Sequence, residues 1–358
     1  MVAEAVLLLQ RVAIVTILVN WMVSTSVGED RPRLPVDRMP PHLLVDKMPL
    51  GLNKVRHVPE DNALTEARVG LGRRLFFDPV LSGDGSTSCA SCHDPARSFT
   101  TDDQLAIGVA GAKGSRNTSS LINRLYGRSF FWDGRATSLE EQALKPIGNK
   151  IELASSVDEA VLRLQADATY VNRFREAYGG AVTAENLAKA LAGFQRTLLS
   201  GDSRVDRFQA GDASALTPDE RVGLWIFESR GGCWKCHQGQ NYTDELYHNT
   251  GVSWGKQPLD LGRFRVTQRE QDRGRFKTPT LRDIARTTPY MHDGSIATLH
   301  EVVAFYNRGG GKNSSRDALL VPLDLNDKEI DLLVAFLKSL TGSTRWVTSQ
   351  LPEAIDAK

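Results

Sequence analysis

Only four of the 358 residues are cysteine, and all four stand in two short units, CASCH at 89–93 and CWKCH at 233–237. No cysteine is left over for a structural disulfide, which excludes a disulfide-stapled scaffold. Neither sign of charge is in excess: 44 Lys and Arg face 43 Asp and Glu, a formal net charge of +1. Composition therefore gives no support to a nucleic-acid or acidic-membrane partner. Methionine is scarce, with Met291 alone beyond residue 48. Long alternating strand patterns are absent too, so the class is mainly α. The apolar run VAIVTILVNWMV at 12–23 is too short for the ~20 residues of a membrane-spanning helix.

That run follows Arg11 and precedes small residues from Ser24 to Gly28, the pattern of a cleavable export signal over 1–28. An uncleaved N-terminal anchor is the rival reading. A signal places the mature chain in the periplasm with no stable membrane span. Residues 29–62 hold six prolines and an echo, VDRMP then VDKMP, and read as an extended arm.

Two cysteines three positions apart, followed at once by histidine, fit covalent haem attachment: the sulfurs bind the porphyrin edge and the imidazole binds iron. A thioredoxin-type pair or half a zinc site would not need that histidine twice. Cys89, Cys92, Cys233 and Cys236 are thus the attachment residues of two c-type haems, with His93 and His237 as axial ligands. The sixth position at each iron decides between passing electrons and binding peroxide. The remaining histidines, His42, His57, His248, His292 and His300, and Met291 are the ordinary candidates for it.

The chain states one pattern twice. RVGL at 68–71 leads into the first CxxCH and RVGL at 221–224 into the second. At an offset of 160 residues, NTSSLINRLYGRSFFWDGRATSLEEQ (117–142) lies over KTPTLRDIARTTPYMHDGSIATLHEV (277–302). Helical spacing marks 157–164, 185–199, 218–227 and 327–340. The expected architecture is two cytochrome-c-like haem domains related by internal duplication, at 63–200 and 201–345, with a tail at 346–358.

The segments LGRRLFFDPVLSGDGSTSCASCHDPARSFT, FFWDGRATSLEEQALKPIGNKIEL and TPTLRDIARTTPYMHDGSIATLHEVVAFYNRGG resemble the di-haem bacterial cytochrome c peroxidase superfamily, including its MauG-like branch. The resemblance runs over most of 64–340. It implies a distal His in the loop after the first CxxCH and a distal Met after the YxHDG segment. This chain places Val109 and Tyr306 there, the departures of the MauG-like branch. The resemblance therefore implies an open haem at His93 and a closed haem between His237 and Tyr306, with Met291 as the alternative ligand.

It also implies roles for further residues. Glu152, one acid among many on composition alone, matches the distal glutamate that moves a proton during peroxide cleavage. Gln142 and Pro146 match pocket residues, and Trp132 matches the tryptophan between the haems. Asn117, with the carbonyls of Thr287 and Pro289, matches a calcium site whose oxygen donors suit that hard ion.

Three functions follow as expectations. The first is a peroxide-dependent oxidase that takes electrons from a protein partner's side chain through the second haem. The second is a peroxidase that detoxifies hydrogen peroxide with electrons from a small cytochrome or cupredoxin. A pure electron-transfer protein would need a filled site at His93. MauG itself presents a surface Trp two residues before its second CxxCH; Gly231 stands there in this chain, which leaves Trp234 or Trp254 as exits.

Overall fold

The computed structural model describes residues 48–53 and 58–345. The proposed signal, most of the arm, His42, His57 and the tail lie outside the described residues. Ten helices carry the described chain: α1 (Glu66–Phe77), α2 (Leu139–Leu144), α3 (Val157–Ala166), α4 (Ala168–Tyr178), α5 (Ala184–Arg196), α6 (Arg204–Gln209), α7 (Pro218–Glu228), α8 (Phe264–Thr267), α9 (Leu299–Asn307) and α10 (Asp327–Ser339). Their starts are written in the sequence. Ser156 and Glu159 form a capping box on α3, as do Thr217 and Glu220 on α7, Thr298 and Glu301 on α9, and Asn326 and Glu329 on α10. Pro218 opens α7, where its missing N–H costs no helical bond.

Strands are few and short. β1 (Leu199–Gly201) pairs antiparallel with β4 (Ser343–Arg345), and β2 (Tyr247–His248) pairs antiparallel with β3 (Phe276–Lys277). The helical pattern at 185–199 ends sooner than its spacing suggests, because Leu199 leaves α5 to join β1.

Two apolar cores form, one between Val69 and Leu198 and one between Val205 and Leu340. Each is built around a helix pair in close approach. A Cβ on Gly72 of α1 would lie 1.9 Å from the carbonyl oxygen of Ala190 on α5, and one on Gly223 of α7 would lie 2.1 Å from that of Leu332 on α10. Beside each glycine an aromatic pair closes the contact, Phe76 with Phe194 at 5.2 Å and Phe227 with Phe336 at 5.0 Å. The RVGL echo matches Gly70 with Gly223, yet a Cβ on Gly70 meets nothing within 4 Å. Gly72 is therefore the packing counterpart of Gly223.

The 160-residue offset appears in the backbone. Asn123 and Asp283 are both left-handed, as are Phe131 and Met291, and Gly134 and Gly294. The bridges Phe130–Ala136 and Tyr290–Ile296 recur at the same spacing.

The described end of the arm packs on this body. Leu52 and Val58 are buried with Leu125 and Leu199. Gly51 accepts through its carbonyl from Arg282, and the Leu50 amide donates to Asp202 Oδ1 at 2.8 Å.

Candidate functional site

Each CxxCH unit is one turn of 3-10 helix, Cys89–Ser91 and Cys233–Lys235, that brings the histidine back over the first cysteine. The His93 amide donates to the Cys89 carbonyl at 3.0 Å, and the His237 amide to that of Cys233 at 2.9 Å. All four cysteines are free and half-buried. The Nδ1 of His93 lies 2.9 Å from the Phe99 carbonyl and that of His237 lies 3.0 Å from the Tyr242 carbonyl. A carbonyl on Nδ1 holds the ring in the tautomer that leaves Nε2 as a ligand. Burial pushes the His93 imidazole down to about 4 and lowers that of His237. Burial thus favours in both rings the neutral form that ligation requires. Burial also raises the Cys89 and Cys233 thiols to about 12.

A cavity of about 1170 Å³ opens at the first unit, lined by Cys89, Cys92, His93, Gln142, Pro146 and Glu152. Trp132, Asn117, Thr287, Pro289 and Met291 line it as well. The second unit and Tyr306 are not on this cavity. The candidate residues thus fall into two groups, one around His93 and reaching the boundary between the cores, the other around His237.

Glu152 accepts from Asn149 Nδ2 at 2.6 Å. Burial raises its carboxyl above the ordinary value, opposed by that hydrogen bond and by Arg135. A raised carboxyl near neutral pH can take and return a proton. The loop with Val109 is seated on the same segment: the Val109 amide donates to the Glu152 carbonyl at 3.1 Å, and a Cβ on Gly108 would lie 1.9 Å from the Ile151 oxygen. That loop carries no imidazole. Four buried polar atoms on the cavity residues have no hydrogen-bond partner among the described residues: Gln142 Oε1, Gln195 Oε1, Thr118 Oγ1 and His292 Nε2. Orphan buried groups of this kind mark a place completed by a ligand or water.

Trp132 is held from both sides. Its indole donates to the Asn117 carbonyl at 2.9 Å, and its own carbonyl accepts from the Lys277 amide at 2.8 Å. Asn117 spends its side-chain nitrogen on the carbonyls of Asp103 and Gln104, each at 3.2 Å. The Asn117 amide also donates to the His292 carbonyl at 2.8 Å.

Tyr306 sits in the last turn of α9 with its ring 5.3 Å from that of Phe305. Burial raises its phenol, and the sulfurs of Cys236 and Cys233 act in the same direction, which places it beside the second attachment unit. Met291 has a left-handed backbone, φ 74°, and faces the first cavity.

Several polar groups at the boundary have no counterpart in the sequence reading. Arg116 binds Asp133 at 2.7 Å and Asp260 through two bonds at 2.7 and 2.9 Å. Glu245 accepts from Arg124 and from Lys277. Burial, reinforced by Arg124, pushes the Lys277 ammonium down to about 7 against the pull of Glu245. These partners lie 17 to 144 residues apart in the chain, so no local pattern announces them. Asn149 was within reach, three residues before Glu152 in the same quoted segment.

Of the candidate exits, Trp234 is exposed and Trp254 half-buried; Trp225 on α7, which no motif singled out, is more exposed than either. At Gly231 a Cβ would lie 2.7 Å from the Ile226 carbonyl oxygen, so this turn has no room for a tryptophan.

Comparison with known proteins identifies the relatives of the chain. A profile of the family described as di-haem cytochrome c peroxidase matches residues 66–214. The methylamine utilization protein MauG of Methylorubrum extorquens is 40% identical over 297 residues, covering 82% of this chain and 84% of that protein. Cytochrome c551 peroxidase of Nitrosomonas europaea is 37% identical over 287 residues, covering 79% and 81%. The crystal structure of a MauG-like protein associated with microbial copper homeostasis superposes with a TM-score of 0.75 at 34% identity, covering 87% of this chain and 96% of that one. Among the described residues, no helix is long and apolar enough to cross a membrane.

Proposed function

Since the chain belongs to the di-haem cytochrome c peroxidase family, whose members include MauG and the cytochrome c peroxidases, we propose that it uses hydrogen peroxide at the His93 haem to oxidise a protein partner through the His237 haem. One observation carries this reading. The cavity at His93 is lined by a half-buried Glu152 whose carboxyl is raised by desolvation, while the Val109 loop seated on that segment offers no imidazole.

The residues fit the cofactor. Four unpaired half-buried thiols, two neutral imidazoles turned by carbonyls, and orphan polar atoms on the cavity wall are what two covalent haems require. When bound, haem supplies the iron that accepts peroxide and exchanges electrons. Glu152 takes the proton from one peroxide oxygen and delivers it to the other, with Asn149 fixing the carboxylate for both acts. Gln142 and Pro146 shape the pocket, and the Gln142 oxygen orients a donor there. Trp132, bonded to residues of both halves, carries the electron between them. Tyr306 supplies an oxygen donor to the second iron. Burial keeps the phenol protonated, so only a cation at that oxygen releases the proton.

Asn117 Oδ1 and the carbonyls of Thr287 and Pro289 share one cavity and offer an all-oxygen donor set, which suits calcium. We assign them as its ligands. The mature chain works in the periplasm, where covalent haem proteins and a cleaved signal belong together. The solved relative associated with copper homeostasis makes an exported metal-handling protein the partner class to test first.

The second reading is detoxification of peroxide with electrons from a small cytochrome or cupredoxin, favoured by the peroxidase relatives. Turnover separates the two. With a reduced small cytochrome as the only electron source, the proposed oxidase consumes peroxide slowly and a co-expressed protein partner gains oxygen or loses hydrogen by mass. Fast, saturable oxidation of the cytochrome with no partner modified would establish detoxification instead.

A further inference from the structure

His248 lies between two carboxylates. Its Nδ1 is 2.6 Å from Asp317 Oδ2, and its Nε2 is 3.0 Å from Asp244 Oδ2. A carboxylate only accepts, so an imidazole bonded to one at each nitrogen must donate from both and therefore carries a proton on both. The result is a partly buried cation, its side chain 17% exposed, with Asp244 and Asp317 at 6% and 16%.

This group stands at the second attachment unit. Cys236 Sγ, an Asp244 oxygen and an imidazole nitrogen of His248 lie within 4.8 Å of one another. Asp244 and His248 are also near enough to His237 to act on its charge in opposite directions. Such a trio has the composition of a metal site, yet Cys236 is committed to a thioether and both imidazole nitrogens are occupied, so it is not one here. The imidazole is pushed up to about 10 by the Cys236 sulfur against burial, and by Asp317 and Asp244. Once that sulfur is a thioether, the two carboxylates alone hold the charge.

The same residue ties together two segments, the attachment turn and the chain that follows Tyr306. Asp244 donates its amide to the Cys236 carbonyl at 2.8 Å, which fixes it to the attachment turn. Asp317 belongs to the segment 308–325 that follows Tyr306. That segment is pinned at its base by Asn307, which donates to the Leu325 carbonyl and accepts from the Leu325 amide, each at 2.9 Å. Its middle is laid on the chain after β2: the Gly311 amide donates to Thr250 and the Asp317 amide to Asn249, each at 2.9 Å. A Cβ on Gly251 would lie 2.4 Å from the Gly311 oxygen, so the two strands of chain are in direct backbone contact.

We propose that His248 is a positioning residue for the second haem, a fixed cation that locks the Tyr306 side of the site to the attachment turn and sets that iron's redox potential. The inference rests on the reading that Cys236 and His237 hold a haem. A cation beside the porphyrin edge favours the reduced iron, and the flanking carboxylates favour the oxidised one. Charge and scaffold roles therefore make different predictions for different substitutions.

The test is a spectroelectrochemical titration of both haems in the full-length haem protein and in three variants, preceded by a count of covalent haems. His248→Gln removes the cation and lowers the potential of the second haem, leaving the first unchanged. Asp317→Asn removes a negative charge and raises it. His248→Lys restores the potential lost in the Gln variant. A shift of the same sign in His248→Gln and Asp317→Asn, or none in either, overturns the proposal, because a scaffold role moves both the same way. If the Gln variant loses its second haem, the other two variants still decide: Asp317→Asn should raise the potential of the second haem and His248→Lys should leave it at the unaltered value, and no rise in Asp317→Asn overturns the proposal. Fewer than two covalent haems in the unaltered protein would defeat the underlying reading instead.

Discussion

Asn149 donates through Nδ2 to Glu152 Oε1 across 2.6 Å, inside the cavity that also holds His93. The amide fixes one carboxylate oxygen and leaves the other to work, while burial raises the group above the ordinary carboxylate range. Replacing Glu152 by Gln keeps the shape and removes the exchangeable proton. Peroxide cleavage should slow by about 10²- to 10⁴-fold, with haem content unchanged, in a stopped-flow comparison with the unaltered protein. Cleavage at the original rate would remove Glu152 from the mechanism.

Tyr306→Phe deletes the oxygen donor and retains the ring contact with Phe305. The second iron then has an open position. An azide titration of the ferric variant should fill two sites, where the unaltered protein fills one, and a single site in both would shift the ligand assignment to Met291.

Trp132→Phe removes the indole N–H that reaches the Asn117 carbonyl. The spectral response of the second haem to peroxide should lag that of the first. Simultaneous responses in the variant would mean that electrons pass between the haems by another route.

Stability offers an independent check on the packing of the second core. Arg282 binds Asp206 through two bonds at 2.8 and 2.9 Å, both side chains being 1% exposed, and it also reaches the carbonyls of Gln240 and Gly51. Asp206→Asn strands the buried guanidinium and should cost about 3–5 kcal/mol, read from denaturant unfolding. Burial tends to raise the Asp206 carboxyl, but the Arg282 hydrogen bond and charge outweigh it and hold it below the ordinary value. A depressed carboxyl stabilises the fold above its unfolded value, about 3.9, and that stability is lost as pH falls through the lower folded value. The melting temperature of the unaltered protein should fall more steeply below about pH 4 than that of the Asn variant.

The two CxxCH turns were legible because their spacing is fixed and local, and the helices because their apolar period and caps are local. The 160-residue offset has a local counterpart in the backbone: Asn123 and Asp283 take one conformation in matched sequences. The RVGL echo misled by two residues. Helix packing is a property of the surface between two helices, and only the position facing Ala190 or Leu332 must be glycine. Glu152 was singled out through family resemblance, since nothing in one acidic residue reveals that it lines the cavity at His93. His248 stood in the sequence only as one of five free histidines, because one of its carboxylates is 69 residues away. Arg116, Lys277 and Arg282 were hidden in the same way, their partners being brought near only by the fold.

The most direct test is one equivalent of hydrogen peroxide added to the fully ferric protein with no reductant present, followed by its absorption spectrum. An open iron at His93 with a Tyr306-ligated second haem predicts immediate loss of the ferric bands and a persistent, more oxidised spectrum. No change until one haem has been reduced would contradict the account, because it would mean that the first iron is closed in the ferric state.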